Sequence, residues 1–279
     1  MPNIDVEGQT FSWREDGNGP VLFLLSANPG DGRDFDAVAP SLARRFRVIR
    51  PDWPGYGASP APQPVEKTSP LYYFEVFRAL VNALGIESCH IVGNSIGGNV
   101  AVRYAVTHPE RVDSLVLVSA GGFTAHNTGT RLFCRMMGMP AFNRAVRAPF
   151  SKWSYAVRNQ WTQAIIQRAQ QDHANPAADA VNAANWRGFA TPEHDLRETA
   201  RKVRAPTLII NGRRDHAIPP HRDGKAAADA IPGARLLIPD CGHAPFAELP
   251  DWFLQNVYDF WGRLPSTGRQ ASSPQHAAA

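Results

Sequence analysis

The stretch Gly93-Asn94-Ser95-Ile96-Gly97-Gly98 decides how this chain is read. It follows an apolar, strand-like run, His90-Ile91-Val92, and leads into a helical pattern from Asn99 to Thr107. Strand, Gly-x-Ser-x-Gly, helix is the pattern of a nucleophile elbow, a turn so tight that its serine takes a strained backbone conformation. Glycines two residues to either side remove Cβ atoms that would collide there. The strain points the Ser95 hydroxyl out of the sheet edge, with the next backbone N–H beside it. Such a geometry serves acyl chemistry.

A hydroxyl becomes a nucleophile only beside a base, and the base needs an orienting carboxylate. With an elbow serine these follow in the order Ser, Asp, His. Thr207-Leu208-Ile209-Ile210-Asn211 reads as a buried parallel strand, and the turn Gly212-Arg213-Arg214-Asp215 follows it. Arg235 to Ile238 reads as a second short strand, followed by Asp240-Cys241-Gly242-His243. Each candidate lies just past the carboxyl end of a strand, where open α/β sheets place their active sites.

These motifs, with Pro51-Asp52-Trp53-Pro54-Gly55-Tyr56-Gly57-Ala58-Ser59 before them, resemble the α/β-hydrolase-fold superfamily of serine hydrolases over about Val6 to Leu264. The resemblance implies an α/β fold, a mostly parallel central sheet flanked by helices, with a helical cap. It also implies that Ser95 attacks an acyl carbon, His243 relays the proton and Asp215 holds the imidazole. The backbone N–H groups of Ile96 and Asn28 would form the oxyanion hole. Here the chain departs from the family: Ser26-Ala27 stand where most members have His-Gly. Backbone donors need no particular side chain, but alanine tolerates a positive φ less well than glycine, so the loop is expected to follow a different path.

The chain alternates strand and helix. Strands are expected at Thr10 to Arg14, Val21 to Leu25, Arg47 to Arg50, Cys89 to Val92 and Leu115 to Ser119, and helices at Asp34 to Ala43 and Pro70 to Leu84. A helix near Pro220 to Ala230 and another from Asp251 to Gly262 complete the pattern. The strand rhythm stops between Gly122 and about Val203, where Arg131 to Met139, Pro140 to Arg147, Tyr155 to Asp172 and Pro176 to Trp186 have helical character. The expected organisation is therefore a core of 1–121 and 204–264, a helical cap of 122–203 and a disordered tail of 265–279.

Between Gly122 and Ala190 stand eight cations and two acids, against a net charge of +4 for all 279 residues. A one-sided lid of this kind draws anions, and one of its arginines would clamp a substrate carboxylate, with Arg187 beside Trp186 the first choice. Met137 and Trp186 are candidates for an apolar substrate pocket. The competing reading is a solvated basic face over cap residues that hold one another together.

Three cysteines are too few and odd in number for a disulfide framework, and Cys241 reads as a buried structural thiol. No apolar run approaches the roughly 20 residues of a membrane span, and Met1-Pro2-Asn3-Ile4-Asp5 lacks the features of a signal peptide. A cytoplasmic enzyme acting on a small molecule is expected, without nucleic acid, metal or cofactor; oligomeric state stays open. His90 reads as a packed histidine and Asp52 as a loop-fixing carboxylate. His126, His173, His194 and His221 lack metal-site spacing. Ester cleavage through an acyl-enzyme is the leading reaction. The alternatives are C–C cleavage of a diketone-like acid, a cofactor-free oxygenase or lyase, and a non-catalytic receptor.

Overall fold

Eight strands form one sheet in the order β1-β2-β4-β3-β5-β6-β7-β8 in the computed structural model, which describes residues 1–6 and 8–264. They are β1 (Asn3–Val6), β2 (Gln9–Asp16), β3 (Val21–Leu25), β4 (Arg47–Pro51), β5 (Cys89–Asn94), β6 (Val112–Val118), β7 (Thr207–Ile210) and β8 (Arg235–Leu237). β1 and β2 are antiparallel to their neighbours; β4, β3, β5, β6, β7 and β8 run parallel. Parallel strands buried on both faces read as continuous apolar runs, and Leu22 to Leu25 and Leu115 to Val118 are fully buried. Because β4 lies on one side of β3 and β5 on the other, the chain reverses its winding there. Ligands bind at such a switch point.

The helices are α1 (Ala39–Leu42), α2 (Pro70–Ala83), α3 (Ile96–Thr107), α4 (Thr128–Met137), α5 (Pro140–Ser154), α6 (Gln160–Ala174), α7 (Pro176–Phe189), α8 (Lys225–Ala230), α9 (Pro245–Glu248) and α10 (Pro250–Gly262). α2 starts where Ser69 caps the Tyr72 N–H at 3.1 Å and stops before Gly85, which takes φ +63°.

The expected helix from Asp34 to Ala43 is broken in two. The Asp31 carboxylate accepts the Arg33 N–H at 2.8 Å and starts a 3-10 turn, Gly32–Phe35. Pro40 has no N–H to continue a helix and sits instead in the first turn of α1. Strand β1, which pairs with β2 at the sheet edge, was not expected at all.

Four helices, α4 to α7, lie between β6 and β7 with no strand among them. α5 runs on through Pro149 to Ser154, past the expected end at Arg147. α6 begins at Gln160 rather than Tyr155 because Asn159 and Thr162 form a reciprocal capping box. The expected tail, 265–279, lies outside the described residues.

Candidate active site

Ser95 follows β5 with φ 53° and ψ −113°; among the described residues only Ser119 is another non-glycine at positive φ. Its N–H donates to the Val118 carbonyl at 3.1 Å, and its own carbonyl accepts the N–H groups of Gly121 and Asn99. Close approach dictates the surrounding glycines. A Cβ on Gly97 would stand 2.3 Å from the Leu25 carbonyl oxygen, and one on Gly93 would stand 2.5 Å from that of Gly97. Ile96 opens α3, and the first N–H groups of a helix have no acceptor within it.

Asp215 and His243 arrive on two loops pressed together. A Cβ on Gly212 would stand 2.0 Å from the Gly242 carbonyl oxygen, and Arg214 donates its N–H to Cys241 at 2.8 Å. The Asp215 Oδ2 lies 2.8 Å from the His243 Nδ1, while its Oδ1 accepts the N–H groups of Ala217 and Ile218 at 2.9 and 3.0 Å. Burial opposes charge on both groups. The Asp215 charge and hydrogen bond nevertheless hold the imidazolium above its ordinary value, and the same pair holds the Asp215 carboxyl below its own. Asn94 ties the elbow strand to this loop, donating from Nδ2 to the His243 carbonyl at 3.2 Å.

Glu248 escaped the sequence reading. Buried in α9, it accepts four backbone N–H groups: Ala156, Val157 and Gly242 on Oε2 at 2.8 Å each, and Ala244 on Oε1 at 3.1 Å. One carboxylate thus fastens both neighbours of His243 and the start of the segment between α5 and α6. An amide in its place must turn an NH2 toward at least one of these donors. Glu248→Gln is therefore expected to cost about 1–3 kcal/mol of stability and to lower kcat by loosening His243. Urea midpoints and steady-state kinetics check this; an unchanged midpoint would remove Glu248 from the positioning scaffold.

Ser95, Ile96, Asn28 and His243 border one cavity of about 570 Å3, and so do Met137 and Trp186. Asp215 stands behind His243. The Asn28 Oδ1 accepts from the Tyr56 hydroxyl at 2.8 Å and the Asn185 Nδ2 at 3.1 Å. Ala27 also borders the cavity and takes no positive φ, and the Asn28–Pro29 bond of the same loop is cis. The Trp53 indole fixes that loop by donating to the Ser26 carbonyl at 2.9 Å.

The expected carboxylate clamp is corrected here. Arg187 does not border the cavity; it is exposed and donates to the Gly138 carbonyl at 2.8 Å. Arg168 pairs with Asp34 and Arg144 with Asp179. The arginine at the cavity, among the described residues, is Arg222 from the loop after β7, already bidentate to Asp223. The cause lies in helix phase: Trp186 and Arg187 are adjacent and leave α7 in different directions.

His194, set aside in the sequence, borders the cavity. Burial, with Arg103 and His126 nearby, pulls its pKa down to about 3, so it stays neutral. His216 stacks on Trp153 at 4.4 Å and does not meet Asp215 as His243 does. Asp52 fixes its loop as read, accepting the N–H groups of Gly32 and Ala58. His90 is packed, bonded to Ser114 at 2.8 Å. Cys241 is buried, and burial pushes its thiol pKa up. Among the described residues no group of three potential metal ligands occurs, and no helix is long and apolar enough to cross a membrane.

Asn182, on α7, is fully buried at the cavity wall, and neither amide atom has a partner among the described residues. A buried polar group left unpaired costs about 1–3 kcal/mol, so Asn182→Leu is expected to stabilise the protein by roughly that amount. A lower denaturation midpoint in this variant would show that the amide is bonded in the folded protein.

A family model described as alpha/beta hydrolase fold matches residues 20–150 and 148–250. The 2-hydroxy-6-oxononadienedioate/2-hydroxy-6-oxononatrienedioate hydrolase of Klebsiella pneumoniae is 30% identical, over 94% of this chain and 94% of its own. Pimeloyl-(acyl-carrier protein) methyl ester esterase of Aeromonas hydrophila is 29% identical, over 88% of this chain and 97% of its own. Among solved structures, a thermophilic esterase from Thermogutta terrifontis matches with a TM-score of 0.80 at 23% identity, covering 95% of this chain and 99% of that one. At that identity the likeness is one of fold.

Proposed function

Since the chain belongs to the alpha/beta-hydrolase-fold family, we propose that this hydrolase cleaves the carboxylic ester of a small organic substrate through Ser95, His243 and Asp215. The observation that carries this reading is their convergence: Ser95 on a left-handed elbow and His243, held at 2.8 Å by Asp215, border the same cavity. His243 takes the Ser95 proton on Nε2, the ring nitrogen that Asp215 leaves free, as the oxygen attacks the acyl carbon. The N–H groups of Ile96 and Asn28 hold the oxyanion. The imidazolium then protonates the leaving alcohol, and water, activated by the same histidine, releases the acid from the acyl-enzyme.

In this reading the helices of 122–203 act as a cap over a core of 1–121 and 204–264, shaping the acyl site and limiting bulk water in it. Cleavage of a C–C bond in a diketone-like acid is the second reading, favoured by the Klebsiella relative. The engagement of Arg168, Arg144 and Arg187 elsewhere weighs against it. Turnover of a short neutral p-nitrophenyl ester, faster than that of an analogue bearing a carboxylate, is the expected result. A preference for the carboxylate-bearing substrate would favour the second reading. No turnover of any ester or of a diketone-like acid by a folded protein would sink both in favour of a receptor or an oxygenase, which oxygen uptake with an aromatic substrate separates.

A further inference from the structure

Helices α4 and α5 carry an apolar surface that the proposed chemistry does not use. Among the described residues seven large apolar side chains are exposed, and four lie here: Leu132 at 58%, Phe133 at 44%, Met139 at 56% and Trp153 at 52%. Scattered singly such residues need no explanation; gathered on one pair of helices they mark a contact surface. A groove of about 430 Å3 runs beside them, lined by apolar residues alone, with Phe142, Val146 and Pro149 among them. Phe133, Met137, Phe150 and Trp153 border both this groove and the cavity of Ser95, so these four side chains stand between the two.

The charge on these helices has one sign. Arg131, Arg135 and Lys152 are exposed, as is Arg144, which pairs with Asp179 of α7, and no acidic residue occurs between Gly122 and Gln171. Arg131 and Arg135 stand one turn apart on α4, on the exposed side that also carries Leu132. Exposed Leu, Phe and Trp beside Arg and Lys are what a helix lying in a lipid interface presents.

We propose that α4 and α5 dock the protein on an anionic lipid surface, with Leu132, Phe133 and Met139 entering the acyl layer, Trp153 at its boundary and the cations meeting the headgroups. A protein partner would be read through about one hydrogen bond per 100–200 Å2 of interface, and the groove lining offers only the Trp153 indole N–H for it. Trp153 fits the boundary between headgroup and acyl chain, where indoles gather. Docked this way, the groove faces the acyl layer, and an apolar ester would pass the four shared side chains to reach the cavity. That last step rests on the hydrolase reading; the docking itself does not.

The test is cosedimentation of the full chain with phosphatidylcholine vesicles that contain roughly one-third phosphatidylglycerol, compared with phosphatidylcholine alone. At low salt the anionic vesicles should bind about tenfold more tightly or better, with the advantage shrinking as salt shortens the screening length. Leu132→Glu with Met139→Glu should weaken that binding by about tenfold or more. Neither residue borders the cavity, so turnover of a short soluble ester should not change. No binding to anionic vesicles at low salt, or equal binding by the double variant, overturns the proposal. A dimer that the double variant dissolves also overturns it, assigning the face to a second copy. Vesicle binding without any ester turnover would sink the hydrolase reading and leave the docking face standing.

Discussion

Ser95→Ala should lower kcat for a short p-nitrophenyl ester by roughly 10⁴ to 10⁶, the range for losing the nucleophile of a triad. The fold should survive. Alanine keeps the serine Cβ, and the backbone bonds from Ser95 to Val118, Gly121 and Asn99 do not involve the hydroxyl. The strain of φ 53° is common to both side chains, so the thermal midpoint should barely move. A fluorophosphonate should attach to Ser95 alone, and the Ala variant should not be labelled. Labelling at another residue, or full activity in the variant, would remove Ser95 from the mechanism.

The parts legible in the sequence share one property: their cause is local. The switch from a strand period to a helical one at Ser95, with glycines at fixed offsets, can be read without a partner, and in the structure a Cβ on each glycine would stand under 3 Å from a backbone atom. Asp215 and His243 were legible because each follows a short apolar run by a few residues, in chain order. Strand β1 escaped because four residues at an edge leave little periodicity to detect. Glu248 escaped because its partners Ala156 and Val157 lie about ninety residues away and offer backbone N–H groups, which every residue has. Arg187 was misplaced for a related reason. Composition counts charge along the chain, whereas a cavity collects only side chains that share a direction.

Asp215→Asn tests the second half of the site, and its local geometry sets the outcome. Two backbone donors, Ala217 and Ile218, point at Oδ1, so the asparagine oxygen must stay there. The NH2 group then replaces Oδ2 and donates to the His243 Nδ1. That moves the imidazole proton to Nε2, the nitrogen that would accept from Ser95 in the proposed mechanism. The expected loss is about 10⁴ in kcat, as for other triads carrying this substitution. The pH profile separates this from mere unfolding. In the parent enzyme burial depresses the His243 pKa, but Asp215 overrides it and holds the value above the ordinary histidine value of about 6.5. Activity needs the neutral ring, so the acid limb of kcat/KM should lie above that value. With the charge of Asp215 removed, burial prevails and the limb of the residual activity should move to lower pH. A loss smaller than about tenfold, or a limb that stays where it was, would mean that some group other than Asp215 orients His243.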